Sequence, residues 1–321
     1  MVDFVGLGVL LLLTLLFGFL LKRAWGSRNA ILKWVGLVLM GLLTLLFAVV
    51  FVTALVGTIR LNGNFNASHP VSNITVAGTP EQVARGEQLV TTCTGCHGTD
   101  GGFPLKGNNF EGMGPPLGTL WSANLTPAGN VKDWSDGEIV RAIREGVHKS
   151  GRSLIFMPSG TYRNFADEDA QAIVAALRKQ APVGQPPPAT NLNVLGAVFN
   201  QLIPFVMAVQ PPITQAQPRP PIGANVEYGK YLVNAVGCAD CHGANFGGGT
   251  PATAGLGPPV GPPLRDIGKR YTEEQFVNVF RKGVNAGGTE LSPMMPWKEY
   301  GGFGDDEFKA VYLYLSSLTG K

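Results

Sequence analysis

Apolar residues crowd into the first sixty positions of the chain. Residues 4–21 form an uncharged apolar run of 18 and residues 34–59 a second of 26. Each is near or above the roughly 20 residues that a helix needs to cross a bilayer core, so both are predicted to span a membrane. Lys22, Arg23, Arg28 and Lys33 lie between them with no acidic residue, whereas Asp3 is the only charge before the first run. The positive-inside tendency puts that short basic loop in the cytoplasm and everything after Arg60 on the outer side. A cleaved leader would carry its positive residues ahead of its apolar stretch rather than behind it. A retained two-helix anchor over residues 1–60 is therefore the reading adopted.

Beyond the anchor the pattern becomes mixed and repeats itself. Residues 61–80 are polar and rich in Asn, Ser and Gly, a tether. Gly86-Glu-Gln-Leu-Val then leads to Cys93-Thr-Gly-Cys96-His97, and Gly229-Lys-Tyr-Leu-Val leads to Cys238-Ala-Asp-Cys241-His242. Gly114-Pro115-Pro116-Leu117 is matched by Gly261-Pro262-Pro263-Leu264, and Met157-Pro158 with Phe165 by Met295-Pro296 with Phe303. Four landmarks in one order make residues 81–180 and 224–321 two copies of one domain. In each, a capping box (Ser135 with Glu138; Thr272 with Gln275) opens a helix with apolar residues at helical spacing. A last helix in each begins in acidic residues (Asp167 to Asp169; Asp305 to Glu307). No convincing strand pattern is present, so the expected fold is all-α: a transmembrane hairpin followed by two tandem helical domains. A Pro-rich linker, 181–223, joins them. Its apolar stretch, 194–209, holds Asn200, Gln201 and Pro204 and is too short for a third crossing; it is expected to dock on a domain or a partner subunit.

Composition narrows the partners. The net charge of +3 is small and no basic run lies outside the anchor, which excludes a nucleic-acid partner. The chain has four cysteines, and all four lie in Cys-x-x-Cys-His. Two thiols one helical turn apart can each form a thioether to the edge of a haem, with the adjacent imidazole then aimed at its iron. A four-Cys zinc site would need the pairs to converge and would leave both histidines without a role. A thioredoxin-like dithiol would need alternating strands and helices, and a disulfide across two residues closes too small a loop to stabilise much. Two covalently bound haem c groups follow, attached through Cys93 and Cys96 and through Cys238 and Cys241, with His97 and His242 as iron ligands. Attachment outside the cytoplasm agrees with the charge-based topology.

A sixth ligand decides between an electron carrier and an enzyme, since a His/Met pair raises the potential and leaves no open position. The repeat names Met157 and Met295; Met294 is the rival of the latter, and only Met295 keeps the match. Met113 and Met207 have no counterpart. His148 is read as a solvated residue near a helix end, and His69 is given no role. A ligating imidazole donates its other N–H to a fixed acceptor, for which the Gly-Pro-Pro-Leu elements offer the carbonyls of Pro115 and Pro262.

These residues resemble the class I cytochrome c family, twice, over about residues 80–180 and 223–321. The resemblance implies a small all-α fold around each haem, with Cys93, Cys96, His97 and Met157 serving one and Cys238, Cys241, His242 and Met295 the other. Leu120-Trp-Ser-Ala-Asn-Leu-Thr-Pro127 with Trp134-Ser-Asp136 is similar to the cytochrome subunits of membrane alcohol and gluconate dehydrogenases. The anchor hairpin before two such domains is similar to the two-haem subunit of C-family haem-copper oxidases. The expected function is one-electron transfer on the periplasmic face of a bacterial cytoplasmic membrane, as a subunit of a respiratory or dehydrogenase complex. A quinol-oxidising complex or dehydrogenase would be the donor, and a soluble cytochrome or terminal oxidase the acceptor. The alternatives are a two-haem peroxidase, which requires an open iron, an oxidase cytochrome subunit, and a purely structural anchor. No catalytic acid, base or nucleophile stands out.

Overall fold

The computed structural model describes residues 4–112, 114, 116–202, 208–249 and 260–318. Helices α1 (Phe4–Trp25) and α2 (Ala30–Leu61) form an antiparallel hairpin, about 33 and 48 Å long at 1.5 Å per residue. Asn29 caps α2, its side chain accepting from the amides of Ile31 and Leu32. Gly36 admits the Ala24 side chain, and Phe17 stacks on Phe47 at 5.2 Å. Almost all remaining side chains of the hairpin face outward, Leu12, Val38 and Leu45 among them. So much contiguous apolar surface is not left to water, and Trp25 and Trp34 stand exposed beside the basic loop, where interfacial anchors sit. The hairpin has the surface of a membrane anchor.

The first helical domain runs α3 (Pro80–Leu89), a short 3-10 turn, α4 (Thr94–His97), a long loop, α5 (Asp136–Glu145), α6 (Ser159–Tyr162) and α7 (Asp167–Lys179). A two-residue pairing, β1 (Gly118–Thr119) with β2 (Asn191–Leu192), ties this domain to the linker, which continues into α8 (Val194–Leu202). The second domain follows as α9 (Val226–Ala235), α10 (Cys238–His242), α11 (Ile267–Arg270), α12 (Glu273–Lys282), a 3-10 turn over Trp297–Tyr300 and α13 (Asp305–Ser317). Both anticipated capping boxes are formed, and a third, Thr79 with Gln82, opens α3.

In each domain the first and last helices cross at a glycine. A Cβ on Gly86 would collide with the Ala172 carbonyl of α7, and one on Gly229 with the Ala310 carbonyl of α13. Only hydrogen fits, and Ala172 and Ala310 hold the same place relative to Met157 and Met295. The residues just before the two glycines, Arg85 and Tyr228, are thereby delivered to the junction between the domains, where they touch each other: Arg85 Nη2 donates to Tyr228 Oη at 2.7 Å. Arg85 also bridges the two domains through carboxylates, Asp169 at 3.0 Å on its own and Glu307 on the other. Tyr231 donates to Asp169 at 2.6 Å and Arg219 of the linker at 2.7 Å. Asp169 and Glu307 are again equivalent positions. The two domains therefore meet about a pseudo-twofold axis, with one arginine near the axis serving both carboxylates. A single core continues from one domain into the other.

Asp169 is fully buried. Although burial by itself would raise its pKa, the hydrogen bond and charge of Arg85, with the hydroxyl of Tyr231 and with Arg219, hold it below the usual carboxylate range. A depressed folded pKa adds stability that is present above the unfolded value near 4 and is lost as pH falls through the folded value. Asp169→Asn is therefore expected to lower the melting temperature at neutral pH and to differ less from the native chain near pH 3, read from melts across that range. Removing one partner of such a buried pair costs about 3–5 kcal/mol. Gly86→Ala and Gly229→Ala are each expected to cost about 3 kcal/mol or more through overpacking, measured by chemical denaturation.

Candidate functional site

The two Cys-x-x-Cys-His motifs sit on short helical segments one turn long, which sets their thiols on one side and the histidine at the helix end. No disulfide joins the four cysteines, within or between the pairs. Burial pushes Cys93 and Cys238 each up to about 12. Among the described residues no three His, Cys, Asp or Glu side chains converge on a common point, so the two pairs do not form one shared centre.

Each histidine is oriented through Nδ1 to a backbone carbonyl, which leaves Nε2 as the nitrogen able to ligate. His242 Nδ1 lies 2.7 Å from the carbonyl oxygen of Pro262. Gly261 backs that ring so closely that a Cβ there would come within 2.6 Å of Nδ1. The first domain differs. His97 Nδ1 lies 2.8 Å from the carbonyl of Ala123, not Pro115; Pro115 itself is outside the described residues, as are Met113 and Met207. The assignment of Pro115 as acceptor is thus corrected. The reason is visible on both sides of it: Gly114 has open space where Gly261 has a ring, and Leu117 with β1 turns away to pack on the linker. The support for His97 instead comes from the Leu120 to Pro127 segment. Ser122 Oγ donates to the Cys96 carbonyl at 2.7 Å, Ala123 accepts from His97, and fully buried Asn124 pins the segment by donating to the Val183 carbonyl at 2.8 Å. Burial lowers the pKa of His97, which keeps the imidazole neutral.

The Met-Pro segments lie beside these motifs. Met157 is half-buried, and its carbonyl accepts from Ser159 at 2.8 Å; Met295 is half-buried against the core, and its carbonyl accepts from Trp297 at 2.8 Å. Met294 is 63% exposed. Five residues on from each Met-Pro methionine, a tyrosine ties the segment back to the motif: Tyr162 donates to the Thr92 carbonyl at 3.0 Å, and Tyr300 to that of Val236 at 3.3 Å. His148 keeps part of the expected solvent contact. It is half-buried edge-on to Trp134, and burial with the charges of Arg152, Arg141 and Lys149 lowers it to about 4. His69 has a structural part, its Nε2 held 2.8 Å from the Gln210 carbonyl, which clips tether to linker.

Each motif also faces the other domain's Met-Pro segment. Thr161 donates to Asp240, inside the second motif, at 2.7 Å, and Glu299 lies against Gly95, inside the first. Asn164 reaches the Asn234 carbonyl at 3.3 Å, while Gly302 lies on Gln88 and Thr91. These contacts exchange under the same pseudo-twofold. Burial raises Glu299 to about 7. Beside Cys238 lies a small pocket with aromatic and aliphatic walls, Val236, Phe280, Tyr300, Phe303 and Phe308, into which Glu307 also projects. Paired thiols on one helix, an imidazole with one nitrogen fixed and a greasy wall are the donor set and environment that a thioether-bound haem requires, and the residues fit the group.

Fold and site together define a c-type cytochrome with two cytochrome c domains in tandem and a covalently bound haem c in each. Residues 226–319 match the Cytochrome c family, and residues 81–175 match that of cytochrome c oxidase, cbb3-type, subunit III. The chain is 33% identical over 258 residues to a nicotinate dehydrogenase subunit of Pseudomonas putida, covering 74% of this chain and 21% of that protein. It is 30% identical over 273 residues to the gluconate 2-dehydrogenase cytochrome c subunit of Pantoea cypripedii, covering 74% of this chain and 60% of that one. A 103-residue match at 31% identity, 29% of this chain, joins it to the alcohol dehydrogenase (quinone) cytochrome c subunit of Gluconobacter oxydans, of which it covers 21%.

The unequal support of the two histidines gives a paired test. Gly261→Ala is expected to displace His242 and perturb the absorption and potential of the second haem. Gly114→Ala, with nothing near its Cβ, should leave the spectrum unchanged.

Proposed function

We propose that this chain is the electron-transfer subunit of a membrane dehydrogenase complex, passing single electrons between its two haems and onward along a respiratory chain. The observation that carries the reading is the reciprocal interface. Each attachment motif abuts the opposite domain's Met-Pro segment, so the two sites share one interface with Tyr162 and Tyr300 at it. A bound haem supplies reversible one-electron iron chemistry, and the protein's part is spacing and tuning. His97 and His242 would each ligate an iron through Nε2, since Nδ1 is engaged by the carbonyls of Ala123 and Pro262. Met157 and Met295 would supply the second ligand to each iron, and the half-buried Tyr162 and Tyr300 tie their loops to the attachment motifs. Asp240 and Glu299 stand by the motifs of the second and first domains respectively; an ionised carboxylate there favours the oxidised, more positive state of the nearer iron.

The dehydrogenase assignment rests on the named roles of the relatives, of whose lengths the chain spans about a fifth and 60% in the two longest matches. The match of residues 81–175 to an oxidase subunit family favours a second reading, a cytochrome subunit of a haem-copper oxidase. The basic loop between α1 and α2 supports placing both haem domains on the outer face of the cytoplasmic membrane. Purification from native membranes is expected to bring down a dehydrogenase large subunit; recovery of a copper-containing oxidase instead would favour the second reading.

Met157→Ala and Met295→Ala are each expected to convert one of the two haems from low to high spin and to lower its potential, since thioether ligation raises it. Redox titration with optical and paramagnetic-resonance detection reads both. A native protein with a high-spin ferric haem would point to peroxidase chemistry instead.

A further inference from the structure

The linker helix α8 makes contacts that the electron-transfer reading does not use. The buried residues of the hairpin are Leu7, Ala54, Gly57 and Thr58, all at the end remote from the basic loop. Helix α8 touches both anchor helices. Its backbone lies directly on Gly57, where a Cβ would strike the Ala197 carbonyl. Polar bonds fix the contact: Arg60 Nη1 donates to Gln201 Oε1 at 3.1 Å, and buried Asn200 approaches the Gly57 carbonyl at 3.5 Å.

The depth of this contact follows from lengths. The 26-residue apolar part of α2 is about 39 Å long against a hydrocarbon core of about 30 Å, which leaves about three residues at each end in the interfacial layer. Gly57 falls in that layer. Small and polar residues of α8 (Gly196, Ala197, Asn200) are buried, whereas Leu195 is 36% exposed and Val194 and Val198 are half-buried. At the same level α2 presents Val52, Leu55, Val56 and Ile59 outward. An apolar helix face continuous in depth with a lipid-facing surface is the construction of an interfacial membrane helix.

We propose that α8 is a lipid-contacting interfacial element that seats the first cytochrome domain on the membrane leaflet nearest the haem domains. The inference rests on the reading that α1 and α2 span the membrane. Phe199 of α8 continues the seat into a cluster of Leu61, Leu117, Leu120, Leu192, Ile155 and Phe156, and the last two lead directly into Met157. The Met157 loop is therefore the membrane-proximal side of the first domain. In the second domain the position equivalent to Phe156 is Met294, which is exposed and has no such seat among the described residues. The first haem is thus the one poised for exchange with a membrane-embedded donor, and the second, beside its open Met294 face, with a carrier in the aqueous phase.

The test is photo-crosslinking of the full haem-loaded chain in nanodiscs made with a phospholipid that carries a diazirine in its acyl chain near the headgroup, with adducts mapped by mass spectrometry. Adducts are expected on the α8 peptide at a yield comparable with that of the outer end of α2, and none on the Met294 loop. Adducts on α1 and α2 but none on α8, or equal labelling of α8 and the Met294 loop, would overturn the proposal. No adducts on α1 or α2 would instead sink the spanning reading beneath it.

Discussion

Both cytochrome domains are organised by one constraint, the passage of a first helix over a last helix with only a glycine hydrogen between them. At Gly86 on Ala172 and at Gly229 on Ala310 any side chain would strike a backbone carbonyl. That closeness locates everything else. It fixes the turn that follows α3 or α9, hence the two cysteines and the histidine, relative to the loop that precedes α7 or α13, hence the methionine. It also pushes out the residue before the glycine, Arg85 or Tyr228, to where the domains meet. Backbone close approach is a more exacting requirement than hydrophobicity, since a well-packed interior yields little to an added methyl group.

The interface grown from these crossings is nearly symmetric in position and unsymmetric in chemistry. Arg85 faces Tyr228, and the carboxylates of Asp169 and Glu307 share the single guanidinium. A two-arginine interface would repel itself at the axis, and a two-tyrosine interface would leave the buried Glu307 without its cation and Asp169 with Arg219 alone, at a cost of several kcal/mol. One of each satisfies the pair. The same economy of charge appears at the motifs, where one carboxylate stands by each, Asp240 by sequence neighbourhood and Glu299 from across the junction.

Asymmetry is strongest where the first domain meets the anchor. There Leu117 and β1 pack on the linker, and the Ser122 to Asn124 segment braces His97 through the Ala123 carbonyl. The second domain, with no anchor to hold, keeps Gly261 and Pro262 against His242. The two copies therefore brace their histidines from different segments.

Much of this was legible in the order of residues. Two long apolar runs, a fourfold landmark repeat, capping boxes and the Cys-x-x-Cys-His spacing are local patterns, and local patterns are written within a few turns of chain; they declared the helices, the two-domain architecture and the paired haem attachment. The Leu120 to Pro127 motif was visible too, but its job was not, because bracing His97 is a contact across 26 residues. The repeat even misdirected at Pro115, since equivalent sequence implies equivalent structure only while the surroundings are equivalent. What tertiary structure alone decided were the contacts between distant segments: the pseudo-twofold, the buried Arg85 shared by two domains, Glu299 laid on the opposite motif, and α8 folded back onto Gly57. These depend on how surfaces fit once helices exist, and shape complementarity between surfaces has no period along a chain.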